Sequence, residues 1–205
     1  MLQKIKSSEV FKIIIGITLL SLSIYFISYN AHFFKATKEA TGKYFDIKWI
    51  LLLHISGGAI ALLTGPFQFW ERLRNKNWQL HRNLGKVYLI AVLVSSVCAV
   101  YLSLTTAYTI NWMYAFSAQV WVSVWITATL VAYVVVRQKK FKLHKEWMVR
   151  SYMVTWAFVF SALILRLPFI QALGSFADIS PSFFWFGWAV PLYIYDLYLS
   201  YKRKQ

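Results

Sequence analysis

From Val87 to Val136 the chain carries no Asp, Glu, Lys or Arg. A bilayer's hydrocarbon core is crossed by ~20 apolar residues, so this stretch is long enough for two passes. Only 14% of the 205 residues are charged, against roughly 25% in a soluble domain. Together these features exclude a disordered chain and define an integral membrane protein embedded in a lipid bilayer. Lys and Arg number 22 against 7 Asp and Glu, a formal net charge of +15. On one soluble face such an excess would point to nucleic acid. Here the basic residues lie between apolar segments, so no nucleic-acid partner is expected. The single cysteine, Cys98, lies inside an apolar segment. It reads as a small buried hydrophobe and has no partner for an intrachain disulfide.

Hydropathy divides the chain into six expected spans, at about 11–29, 49–70, 84–104, 114–136, 147–167 and 182–201. The fold class expected is therefore all-α, a six-helix transmembrane bundle forming a single integral membrane domain over residues 1–205. The first span follows Lys4, Lys6 and Lys12. It is longer than the 7–15-residue apolar core of a signal peptide and no small-x-small cleavage site follows, so it is expected to be retained. The short turn at 105–113 makes the third and fourth spans an antiparallel hairpin. With this layout 17 of the 22 Lys and Arg fall on one side. The excess marks that side, which holds both termini, as cytoplasmic. Trp49, Trp70, Trp78, Trp112, Trp147 and Trp185 fall near the expected interfaces, as an aromatic belt requires.

Ionisable groups inside or beside spans are costly and so are the first functional candidates. Here they are His54, His81, His144, Arg150, Arg166 and Asp196. His54 shares a helical face with Gly57, Gly58, Ala61 and Gly65. That face serves either close helix packing of the small-xxx-small type or a flat slot for a porphyrin with His54 as ligand. His81 opens the third span, with Gly85, Tyr88, Ser95, Ala99 and Ser103 following on its face. It either sits among lipid headgroups or ligates a cofactor. His144 opens the fifth span, above Met148, Ser151, Thr155, Ala162 and Arg166. By a rise of ~1.5 Å per residue, His81, His144 and Asp196 share one depth, about 25 Å from His54. Neutral imidazole is a common ligand of haem iron and of zinc. His81 and His144 are therefore candidate axial ligands of one b-type haem, with Arg82, Arg150 or Arg166 as partners for its propionates. With Asp196 the same pair forms a candidate metal site or proton relay. The structural alternative is an ion pair between Asp196 and Arg150. Signatures of zinc proteases, thiol redox centres, P-loops and serine hydrolases do not occur.

The chain resembles an uncharacterised family of bacterial predicted integral membrane proteins. The resemblance rests on His54, on Gly65 with Gln68, on HRxxGxVY (His81, Arg82, Gly85, Val87, Tyr88), on HxxWMxRSY (His144, Trp147, Met148, Arg150, Ser151, Tyr152) and on Asp196. It covers about 49–201 and implies a location in the bacterial cytoplasmic (inner) membrane, but no activity. More distantly, L-H-x-x-L-G at Leu80 to Gly85 looks like a haem-ligand segment of the cytochrome b561 group. That fold holds two haems with four histidines on four successive helices. The fourth span here carries Gln119 and no histidine, so the resemblance implies at most one haem on the cytoplasmic side.

Three functions stay open on the sequence. One is a haem-binding or quinone-linked redox protein with its site at the cytoplasmic side. Another is a non-catalytic membrane subunit or assembly factor, with a membrane-protein partner or a second copy of the chain. The third is a transporter or metal-dependent enzyme using His81, His144 and Asp196.

Overall fold

The computed structural model describes residues 7–204, with side chains from Val10 onward other than that of Lys12. Lys4 and Lys6 of the basic start lie outside the described residues. Six long helices dominate: α1 (Ser7–Tyr29), α2 (Lys48–Gln68), α3 (Trp78–Leu104), α4 (Trp112–Arg137), α5 (Phe141–Ile164) and α6 (Phe176–Arg203). Short helical turns join them, and the described residues contain no strand.

All six helices start earlier than hydropathy indicates, because polar residues that end an apolar run do not end a helix. The Asn77 side chain accepts from the Leu80 N–H at 2.9 Å, so α3 begins at Trp78 and His81 lies in its first turn. Asn111 caps α4 by accepting from the Tyr114 N–H at 2.7 Å, and its amide donates to the Ala177 carbonyl at 2.7 Å, tying α4 to the start of α6. α5 begins at Phe141 rather than Trp147, which places His144 within its first turns.

The helices ending at Gln68, Leu104, Arg137 and Ile164 are long and apolar enough to cross a membrane, and Ile13–Tyr29 forms a shorter apolar helix. α6 is not among them. Its 28 residues include Asp178, Asp196, Lys202, Arg203 and two internal prolines, Pro181 and Pro191.

Helix α3 shows how such a bundle sorts its side chains. Val87, Ile90, Val94, Val97, Tyr101 and Leu104 recur every three or four residues and stay exposed, Val97 at 70%. The opposite face buries Tyr88, Val92, Ser95 and Ser103. Lipid tails are as apolar as a Val side chain, so burying Val gains little; close packing and internal hydrogen bonds hold the helices together instead. The apolar stripe therefore faces lipid and the small, polar stripe faces the protein.

The most extensive helix pair is α2 with α3, followed by α4 with α5; α6 leans on α5 and α4, and α1 on α2. Gly57 explains the first. A Cβ there would stand 2.7 Å from the Ala91 carbonyl oxygen and 2.8 Å from the Ser95 Cβ. Gly65 gives way to the Tyr152 ring, which a Cβ would strike, and the Tyr152 hydroxyl donates to the Leu62 carbonyl at 3.2 Å. Between α4 and α5, Trp121 stacks on Phe158 at 4.0 Å and donates its indole N–H to the Val154 carbonyl at 3.2 Å.

A buried polar cluster joins α3, α4 and α5. Thr129 donates to the Trp125 carbonyl at 2.8 Å, and Thr155 to the Ser151 carbonyl at 2.9 Å. Both hydroxyl protons are thereby used, since a carbonyl only accepts. The 2.7 Å contact between Ser151 and Thr129 is then a donation from Ser151. Thr155 accepts from the Trp125 indole N–H at 2.7 Å. The Tyr88 hydroxyl donates into the pair formed by Ser151 at 2.8 Å and Thr155 at 2.9 Å. Every donor in the cluster is satisfied, which is what a dry interior demands.

Candidate functional site

Gln68, His81, Gly85 and His144 lie at the ends of α2, α3 and α5 that the basic loops flank. His144 Nδ1–H donates to the Ala132 carbonyl of α4 at 2.8 Å. That bond fixes the neutral ring's tautomer and leaves the lone pair on Nε2, the form in which imidazole ligates a metal. His81 opens α3 and His144 lies in the first turns of α5. The His81 Nδ1 is buried without a hydrogen-bond partner, as is the Gln68 Nε2. Gln68 covers Gly85: a Cβ on Gly85 would meet its Oε1 at 3.2 Å. The cover is the end of a flexible side chain, so it can move aside without shifting backbone. Arg82 is exposed, its guanidinium 4.6 Å over the Trp78 ring.

Chemically, the donor set at this end is of the kind a haem iron takes. It supplies one imidazole with its tautomer locked, a second with an unpartnered buried nitrogen, a glycine behind a movable amide, and a free cation at the rim. The three-ligand metal site does not assemble. Among the described residues no three His, Cys, Asp or Glu side chains are grouped to hold a metal ion. Asp196 instead accepts from Arg150 Nε at 3.1 Å and from its NH2, the structural alternative noted from the sequence. Arg150 is therefore committed to Asp196 and is not a free propionate partner.

His54 is placed as the close-packing alternative expects. Its Nδ1–H donates to the Ser95 carbonyl at 3.0 Å, and Ser95 Oγ donates back to the His54 carbonyl at 2.8 Å. Its glycine face is filled by α3 through Ala91 and Ser95, leaving no flat slot. Close packing, not a porphyrin, uses those glycines. Arg166 lies past the far end of α5, about 33 Å from His144 by helix rise. Its guanidinium sits 3.7 Å over the Tyr29 ring of α1, so it cannot serve the His81–His144 end.

Glu146 is not among the candidates the sequence singles out. It is buried and accepts from Arg203 NH2 at 2.6 Å. Glu146–Arg203 and Arg150–Asp196 form two rungs, one α5 turn apart, that clamp the polar end of α6. The available signal was the i, i+4 spacing of Glu146 and Arg150 with opposite charges waiting in the last helix. Trp125 and Thr129 were likewise unremarkable until their partners came into view.

A family model described as "Predicted membrane protein (DUF2306)" matches residues 51–199. The chain belongs to that family. The match runs from within α2 to within α6 and takes in the His81–His144 region and the Arg150–Asp196 pair, while Arg203 of the other rung lies just beyond it. No curated protein and no solved structure matches the chain. As a member of this membrane-protein family it is embedded in the lipid bilayer, consistent with its several apolar helices.

Proposed function

We propose that this DUF2306 protein crosses the bacterial cytoplasmic membrane six times, with both termini inside, and binds one b-type haem between His81 and His144. The observation that carries the reading is the locked tautomer of His144, which leaves its Nε2 lone pair free to ligate, together with the unpartnered buried nitrogen of His81. The distant likeness of Leu80 to Gly85 to the cytochrome b561 group supports it. When bound, the haem would supply reversible one-electron chemistry of its iron. The chain's own part is to orient and exclude. The Ala132 carbonyl holds the His144 ring and raises its basicity. Gln68 swings off Gly85, Arg82 meets a propionate, and the satisfied Tyr88–Ser151–Thr155 cluster fixes the spacing of α3 and α5.

The purified protein, expressed with ample haem, should show a Soret band that shifts on reduction. His81→Ala or His144→Ala should abolish the band while the protein still inserts, and His54→Ala should leave it. A colourless wild type, or loss of the band on His54→Ala alone, would sink the reading.

The topology is tested separately. Reporter fusions after Gln138 and Gln205 should read cytoplasmic and one after Asn111 external. A cytoplasmic signal at Asn111 would overturn it. A non-catalytic subunit is the second reading, favoured by one observation: the deepest polar groups, Tyr88, Thr129, Ser151 and Thr155, satisfy one another and leave no donor for a substrate. On that reading the polar network serves the bundle, and a membrane-protein partner or second copy takes the outer faces.

A further inference from the structure

Where α5 begins and α6 ends, a cleft of about 360 Å³ is lined by Lys140, Phe141, Lys142, Leu143, Glu146 and Arg203. Ligand sites for small molecules span about 300–1,000 Å³, so the cleft has the size of a compact polar headgroup.

Its charge is one-sided. The one acid in the lining, Glu146, is buried and accepts from Arg203 NH2 at 2.6 Å. That bond holds the guanidinium at the cleft, and NH2 is the only Arg203 nitrogen with a hydrogen bond among the described residues. Lys140 and Lys142 are exposed, and neither ammonium makes an ion pair among the described residues. The nearby acids are engaged elsewhere, Glu71 with Lys145 and Asp196 with Arg150. Three cations against one paired acid leave the lining with an excess of positive charge. The positive end of the α5 dipole, which no side chain caps at Lys140, adds to it. Lysines at a helix end are ordinarily just solvated. These two differ in sharing a concave surface with a fixed guanidinium, whereas Lys139, Lys202 and Lys204 stand outside the cleft.

Level selects among anions. Trp147 is of the type that marks the membrane–water boundary. Phe141 lies six residues before it, roughly 9 Å farther out along the helix. Lys140 and Lys142 therefore stand at the level of lipid headgroups, the layer just outside the hydrocarbon core. The cleft also has an apolar part: Phe141 is 66% exposed, beside a half-buried Leu143. A soluble anion would satisfy the cations and leave the Phe141 ring in water. A phospholipid covers both, and a zwitterionic one would bring its own cation among three others.

We propose that this cleft binds an anionic phospholipid, its phosphate between Lys140, Lys142 and the Arg203 guanidinium and its glycerol against Phe141. The site stands on the cleft and its charges, so it depends neither on haem at His81 and His144 nor on which way the termini face.

For the test, the full-length protein is stripped of lipid in mild detergent and titrated with phosphatidylglycerol and with phosphatidylcholine of the same chains. Bound lipid is counted by native mass spectrometry. The first phosphatidylglycerol should bind about tenfold or more tightly than phosphatidylcholine, the scale of the pull of two basic residues on anionic lipid. Lys140→Gln combined with Lys142→Gln should abolish the preference. Lys202→Gln combined with Lys204→Gln removes as much charge from the same end of the bundle, outside the cleft, and should keep it. Glycerol phosphate, a phosphate head without chains, should not displace the lipid at equal concentration. Equal binding of the two lipids, a preference unchanged in the first double variant, or equal loss in both would each overturn the proposal. So would displacement by glycerol phosphate at equal concentration, which would mark a site for soluble anions.

Discussion

Thr155→Val should destabilise the protein far more than Tyr88→Phe, although each removes one hydroxyl from the same buried cluster. Thr155 Oγ1 is the acceptor for the Trp125 indole N–H at 2.7 Å. Valine keeps the shape and strands that N–H in a fully buried position, at a cost of about 1–3 kcal/mol for an unsatisfied buried group. Tyr88→Phe strands nothing. Ser151 still donates to Thr129, and Thr155 still accepts from Trp125 and donates to the Ser151 carbonyl. Its cost should be near the ~0.6 kcal/mol average of interhelical hydrogen bonds in a membrane bundle. Thermal unfolding of both variants in one detergent decides the matter. Equal losses would show that the donor accounting does not set the stability of this interior.

Gly57→Ala and Gly58→Ala should part in the same way. A methyl on Gly57 meets the Ala91 carbonyl at 2.7 Å and the Ser95 Cβ at 2.8 Å, both fixed parts of α3. The seam must open, straining the reciprocal bonds between His54 and Ser95. Overpacking of this kind costs about 1–3 kcal/mol, and more where backbone must shift. A methyl on Gly58 meets only Ser95 Oγ, at 3.8 Å. There the gain in helix propensity, up to ~1 kcal/mol, is unopposed, and the variant should be as stable as the wild type or more so. Folded yield and melting temperature of the two alanine variants provide the comparison. A Gly57→Ala protein with wild-type stability would mean that α2 and α3 do not pack at this distance.

Both comparisons turn on partners far apart along the chain, and this separates what could be read from the sequence from what could not. The membrane character, the all-helical class and the lipid-facing stripe of α3 follow from composition and periodicity, which are local properties. A charge-free run from Val87 to Val136 has few other uses, and Val87, Ile90, Val94 and Val97 mark one helical face by spacing alone. Helix ends were harder to read. Hydropathy stops at Leu84, whereas the helix starts at Trp78 because Asn77 caps it.

The candidate site was legible as a set of residue types and not as a set of pairings. His81 and His144 were recognised by their cost in a membrane, but the same criterion gave equal weight to His54, Arg166 and Asp196. Only the packed helices showed His54 bonded into the α2–α3 seam, Arg166 lying over Tyr29 at the far end of α5, and Asp196 bound to Arg150 across 46 positions. The Glu146–Arg203 rung belongs to the same class of fact. By itself, then, the sequence determined that this chain lives in a bilayer as a bundle of helices, and which of its polar groups had to find partners there. The tertiary structure alone decided which partner each one found, because hydrogen bonds and ion pairs depend on distances across helices that no local pattern encodes.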